Sequence, residues 1–235
     1  MNYNDKINLK MKILSYNINR SNQTKIDKVL TMGADILVLP ECAIQSQIQL
    51  PVGYKMEWMG TATCGWKGLG VIWKDNIKVC VAPWLNEEHK YILPLLVNDD
   101  LLLIAAWPTI ITGIKKTYPQ ILLETLKEYE SHIRKYPTLI CGDYNCFTNQ
   151  SRVSKKTGTF EQCIEYLNSM GLHSLYHTQT GESFGKESKA TYFHQFKENM
   201  PFFIDYAFTN MNVLDYELGS WDKELSDHCP QMIVL

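Results

Sequence analysis

Four carboxylates and one histidine stand where side-chain chemistry could be concentrated: Glu41, Asp143, Asp205, Asp227 and His228. Two asparagines, Asn17 and Asn145, accompany them. Asn17 follows the apolar run "MKILSY", Glu41 follows "ADILVLP", and Asp143 and Asn145 follow "PTLICG". Strand ends and the loops after them are where a rigid sheet presents polar groups. Asp205 differs. It lies inside "FFIDYAF", and a carboxylate among apolar residues is costly unless a cation, a metal or hydrogen-bond donors pair with it. Asp227 and His228 lie in "LSDHCP", a turn ahead of the closing segment "QMIVL". Singly, each residue reads as loop chemistry; "GDYN", for example, is rich in turn formers. In order, asparagine, glutamate, D-x-N, aspartate and D-H form a joint pattern that accident explains poorly, and its carboxylates need a cation, a metal or donors as partners.

The elements that must position these groups can be read from periodicity. "MKILSYN", "ADILVLPE" and "PTLICGDYN" are expected to be buried strands, the second ending at Glu41. "GLGVIWK", "KVCVAPW" and "LLLIAAWP" are further strand candidates, as are "ATYFHQF", "FFIDYAFTN", "VLDYEL" and "QMIVL". Three helices are expected. "SNQTKIDKVLTMG" places Ile26, Val29 and Leu30 at helical spacing, with Gly33 as its stop. Residues 119–135 carry Leu122, Leu126, Tyr129 and Ile133 as a core-facing stripe. "TFEQCIEYLNSMG" has capping-box spacing at Thr159 and Gln162, closed by Gly171. These pieces suit an α+β chain of two packed sheets flanked by helices.

The chain has 235 residues, 45% of them hydrophobic, and a formal net charge of -2. Length and composition suit a globular protein with a substantial core and argue against a broad basic coat. Residues 1–10 read as a flexible leader and residues 11–235 as a single domain. Seven cysteines occur with no C-x-x-C pair. That argues against a disulfide framework or zinc knuckle and for free thiols in a reducing compartment. With no apolar leader and no run long enough to span a bilayer, a cytoplasmic location is expected, with no membrane association and no obligate protein partner.

From Met11 to the C-terminus the ordered motifs resemble the endonuclease/exonuclease/phosphatase superfamily, which includes exonuclease III-type and DNase I-like enzymes. "ILSYNIN" resembles its first strand and "ADILVLPE" its second. "LICGDYN" is similar to its G-D-x-N segment, "FIDYAF" to its I-D-Y segment, and "LSDHCP" to its terminal S-D-H-x-P segment. The resemblance implies a DNase I-like, four-layer αββα sandwich of two mostly antiparallel sheets. It implies a metal-dependent phosphoric-ester hydrolase using Mg2+, with Mn2+ as an alternative. Glu41, Asp227 and Asn17 would hold the metal. Asp143 would orient or deprotonate the attacking water, Asn145 would donate to a phosphate oxygen, and His228 would bind the phosphate while Asp205 orients it.

Some positions depart from the family pattern. Trp107 stands where relatives often have histidine or tyrosine, Pro40 where many have glutamine, and Phe203 where nucleases often have arginine. Asn19 stands where abasic-site enzymes tend to have an acid. Trp107 and Asn19, with Arg152, Lys155 and Lys156 of the basic loop "NQSRVSKKTG", are candidate substrate contacts. Lys115, Lys116, Lys186 and Lys189 add charge that could track a phosphate backbone. Trp66, Trp107, Tyr144 and Phe147 could stack on bases or pack in the core. The leading expectation is a phosphodiesterase acting on nucleic acid, DNA first. The alternatives are an enzyme of the same fold acting on an inositol phosphate, a lipid head group or a nucleotide, and a non-catalytic binding module.

Overall fold

The computed structural model describes residues 10–61, 64–109, 115–151 and 153–235. The expected leader, Lys10 excepted, lies outside the described residues, and so does Arg152. Strand β1 (Lys12–Ser15) leads through α1 (Gln23–Leu30) to β2 (Ile36–Cys42), followed by β3 (Tyr54–Met59) and β4 (Gly68–Lys74). Strands β5 (Val79–Val81), β6 (Ile92–Val97) and β7 (Leu101–Ala106) form a second antiparallel run. Helix α2 (Tyr118–Ile133) connects it to β8 (Thr138–Asp143). Next come α3 (Phe160–Ser169), β9 (His173–Ser174), α4 (Leu175–Thr180) and the small hairpin β10 (Tyr192–Phe193) with β11 (Pro201–Phe202). Strands β12 (Asp205–Thr209), β13 (Asp215–Leu218) and β14 (Gln231–Val234) follow.

Two six-stranded sheets result, in the orders β13-β14-β1-β2-β4-β3 and β5-β6-β7-β8-β12-β9. Each has a parallel pair at its centre, β1 with β2 and β7 with β8, and all other pairs are antiparallel. The parallel pairs are joined by α1 and α2, because a parallel connection needs a crossover. Both pairs therefore end at the same kind of edge, and the chemical residues lie just beyond it.

Side-chain alternation builds the layers. Ile13, Ile36, Val38, Val71 and Trp73 face the second sheet and join its core. Their chain neighbours Leu14, Leu37, Leu39 and Ile72 face outward and meet Ile26 and Val29 of α1. Helix α1 has only eight residues, so its stability rests on this packing more than on propensity. Each buried aliphatic contributes about 1.5–3 kcal/mol. Asn22 caps it by accepting from the Lys25 amide. On the far side, Leu122, Leu126, Tyr129 and Ile133 of α2 and Phe160 and Leu167 of α3 pack with the second sheet. The order helix, sheet, sheet, helices is the four-layer αββα sandwich of a DNase I-like fold. The capping box of Thr159 and Gln162 is formed.

Three local expectations change. β2 does not stop at Glu41; it runs to Cys42 with a register shift between Pro40 and Cys42. "ATYFHQF" forms only the two-residue β10 before a 3-10 turn at His194–Phe196. Asp205 is not interior to a strand but opens β12, opposite Asp143 of β8.

One glycine is demanded by this topology. Gly142 has φ +147, and a Cβ there would stand 1.9 Å from the Ala106 carbonyl oxygen. It lets β7 and β8 close immediately ahead of Asp143. Gly142→Ala is expected to destabilise the protein by about 3 kcal/mol or more, read as a lower urea midpoint. An unchanged midpoint would mean that the two strands can separate without cost.

Candidate active site

The chemical residues converge at the strand ends. Glu41 occupies the β2 irregularity with φ +62. A bulge re-aims a side chain that regular alternation would send elsewhere. Asn17 lies two residues past β1, and its amide nitrogen donates to Asp143 Oδ2 at 2.9 Å and, at the long limit of 3.5 Å, to Glu41 Oε1. Its side-chain Oδ1 accepts from the Asn19 backbone amide at 2.9 Å. Asn17 thus spans two carboxylates as a donor. Asp143 Oδ1 accepts from the Asn145 amide at 2.9 Å. Asn145 adopts φ +52, a conformation asparagine tolerates well. Its side chain donates to the Pro108 carbonyl at 3.2 Å.

His228 stands across from this group. Its Nδ1 donates to Asp205 Oδ2 at 2.8 Å, since an ionised carboxylate can only accept. Its Nε2 points the other way, 3.9 Å from Asp143 Oδ2 and 4.0 Å from Asp227 Oδ1. The costly burial of Asp205 is thereby explained. Asp143, Asp205 and His228 are buried, whereas the Glu41 and Asp227 side chains remain 18% and 13% exposed.

The "LSDHCP" segment is irregular, with a bend at Asp227, so adjacent residues can face one site. It is stitched in place. Ser226 Oγ donates to the Asn17 carbonyl and accepts from the His228 amide. The Phe193 amide donates to the Asp227 carbonyl, and the Cys229 amide to the Thr191 carbonyl. Thr191 Oγ1 accepts from the amides of Ile204 and Asp205, fixing the start of β12. The Tyr192 ring packs on the His228 ring at 4.5 Å.

Burial pushes the Asp143 carboxyl up to about 7, with neighbouring Asp205 adding to it and His228, Asn145 and Asn17 opposing it. Burial works against a charged His228, but Asp205 first, then Asp143 and Asp227, outweigh it and hold the ring up at about 9. Both groups bind protons more tightly folded than unfolded. Their stabilisation is complete below the unfolded values and is lost as pH rises through 7 and then 9. Chelator-treated protein is therefore expected to lose up to a few kcal/mol between pH 6 and 10, and Asp205→Asn to flatten the upper part. A melting temperature that rises over this range would contradict the arrangement.

Lys67, in the loop before β4, was not singled out by its sequence context. Its Nζ lies 3.3 Å from Glu41 Oε1 and 5.3 Å from the centre of the Trp107 ring. Thr191, Tyr192 and Ser226 were also missed as site-builders. Only Ser226 carried a signal, its place beside Asp227 and His228. Trp107 is 3% exposed and packs edge-on against Tyr91. Asn19 is half-buried, and its carbonyl accepts from Lys25 Nζ. Lys155 lines a cleft with Glu161 and Glu165 at the start of α3. Lys156, Lys115, Lys186 and Lys189 are exposed, and Lys116 pairs with Glu124.

Four carboxylates, Glu41, Asp143, Asp205 and Asp227, thus share one site with two cationic groups, Lys67 and His228. The surplus negative charge suits a divalent cation. Asp143, Asp205 and His228 each offer a ligand atom within 4.8 Å of the others. Yet they are nearly dry, and the imidazole's Nδ1 is committed to Asp205. A hard ion retains waters, and Glu41 and Asp227 are the carboxylates of this group that keep exposed surface.

No family model and no curated protein matches the chain. Solved structures do. The endonuclease domain of TRAS1, a telomere-specific non-LTR retrotransposon, is 16% identical with a TM-score of 0.65, covering 96% of this chain and 98% of its own. The human Nocturnin catalytic domain is 17% identical with a TM-score of 0.60, covering 96% and 92%. The AP endonuclease LMAP from Leishmania major is 11% identical with a TM-score of 0.62, covering 96% and 87%. The chain has the fold of the endonuclease/exonuclease/phosphatase superfamily. All seven cysteines are free, and among the described residues no helix is long and apolar enough to cross a membrane.

Proposed function

We propose that this protein is a divalent-cation-dependent phosphodiesterase acting on nucleic acid, with DNA as its first candidate substrate. The observation that carries the reading is the hydrogen-bonded His228–Asp205 pair facing buried Asp143, beside Glu41 and Asp227. Glu41 and Asp227 would hold Mg2+ or Mn2+, with Asn17 keeping Glu41 and Asp143 in register from between them. The cation, when bound, supplies charge neutralisation at the phosphate. Asp143, buried and raised toward neutrality, accepts the proton of the attacking water. Asn17 and Asn145 hold its two oxygens for that task. His228, locked by Asp205, keeps its Nε2 proton and presents it to a phosphate oxygen. Asn145 has a second amide proton to offer the same group. The retrotransposon and AP endonucleases among the similar structures favour nucleic acid. Trp107 is buried, and Lys155 and Lys156 stand on the loop before α3, so the affinity falls to groups exposed at the strand ends.

A substrate panel tests this. Purified protein is incubated with plasmid, an abasic duplex, single-stranded DNA, RNA, an inositol polyphosphate and sphingomyelin, each with Mg2+, Mn2+ or chelator. Metal-dependent cleavage of a nucleic acid is expected. Cleavage of the inositol phosphate or the lipid alone would sink the nucleic-acid reading. No cleavage together with no metal binding would favour a binding module.

A further inference from the structure

Of the six tryptophans, five are buried or half-buried, and Trp66 is 43% exposed. It is not stray surface. The Arg20 guanidinium carbon sits 4.9 Å from the centre of its ring. Trp66 directly precedes Lys67, whose ammonium reaches Glu41, and Arg20 stands three residues beyond Asn17. The pair is therefore tied to the candidate active site from two loops.

Both loops are held firmly. The Ser21 amide donates to the Glu41 carbonyl at 3.1 Å, and the Ala43 amide donates to Ser21 Oγ at 2.6 Å. The Ile44 amide donates to the Gly65 carbonyl at 2.6 Å. Lys25 Nζ donates to the carbonyls of Ile18 and Asn19. It thus secures a turn in which Asn19 and Arg20 adopt φ +43 and +61. Asparagine tolerates such an angle, but it is uncommon for arginine and persists at Arg20 because the surroundings impose it. A guanidinium over one face stiffens the indole and still leaves ring surface to solvent.

We propose that Trp66 and Arg20 form a stacking platform for the nucleobase next to the scissile phosphate. The proposal rests on the phosphodiesterase reading and narrows its substrate to nucleobase-bearing phosphate esters. An aromatic ring accepts any base, because every base has a π face, and Arg20 adds a cation to the stack. An inositol phosphate or lipid head group offers no such face. Trp107 and Tyr144 are buried, and Phe147 packs against Phe202, so of the four aromatics that the sequence offered for stacking Trp66 is the one with an exposed ring.

Binding separates this proposal from hydrolysis. Fluorescence anisotropy in Mg2+ would compare three ligands on Asp143→Asn protein. They are a short single-stranded DNA, the same sugar-phosphate chain with base-free tetrahydrofuran units throughout, and a labelled dinucleotide. The base-bearing chain is expected to bind about tenfold or more tighter than the base-free one. Adding Trp66→Ala should erase that preference, while Trp66→Phe should retain most of it. Tight dinucleotide binding would point to a free nucleotide as the source of the base, and weak binding to a strand; both keep the platform. Equal affinity for base-bearing and base-free chains, or an undiminished preference in Trp66→Ala, would overturn it. Failure of the hydrolysis reading appears separately, as absence of cleavage by the unmutated protein.

Discussion

Asp143→Asn is expected to lower phosphodiester hydrolysis by about a thousandfold while leaving the protein folded. The substitution is nearly isosteric, but asparagine keeps a single acceptor oxygen, so only one of the two donors, Asn17 and the Asn145 amide, retains its partner. What is lost is the ability to take a proton from water, worth about 10^2 to 10^4 in rate. The removed charge also lay 3.9 Å from His228 Nε2, so the imidazolium loses one partner and keeps Asp205. Burial of a carboxylate is costly, which offsets the one hydrogen bond lost, so the asparagine protein should stay close to the parent in thermal stability. Loss of activity with a nearly unchanged melting temperature separates a chemical role from a structural one. An Asp143→Asn protein that retains more than a tenth of the parent rate would remove Asp143 from the role of base.

Glu41→Ala is expected to raise the Mg2+ concentration for half-maximal activity at least about tenfold, the scale on which metal-site residues act. Lys67 makes this outcome specific. With Glu41 gone its ammonium loses its ion-pair partner, and the site still contains three carboxylates. The metal requirement should therefore weaken without vanishing, and Mn2+ should rescue better than Mg2+, because Mn2+ binds mixed ligand sets more tightly. Activity measured against metal concentration for parent and variant checks it. A pure loss of kcat at unchanged metal requirement would place Glu41 elsewhere in the chemistry.

Much of this site was legible because its residues end the most apolar runs. β1, β2 and β8 are continuous buried strands, and Asn17, Glu41 and Asp143 follow from where those runs stop. α2 and α3 were legible from their apolar stripe and capping box. The remainder was hidden for physical reasons. β6 contains Pro94, which lacks an amide proton and argues against a strand; here it falls just past the last pair with β5, whose extension uses the Pro94 carbonyl instead. β3 is an edge strand with no fully buried residue, so it lacks an apolar signature. The bulge at Glu41 depends on how β2 meets β4, a tertiary property. Lys67 and Thr191 are single polar residues in loops, and nothing in their neighbours announces a role. Their contacts arise only when loops distant in sequence close on the same edge.

The central claim is that this edge cleaves a phosphodiester with the help of a divalent cation. The most direct test is the initial rate of fragment release from end-labelled single-stranded DNA, measured against free Mg2+ with the unmutated protein. The rate is expected to rise from background, saturate, and return to background on adding chelator. A rate flat at background across Mg2+ and Mn2+, with the protein folded throughout, would contradict the account.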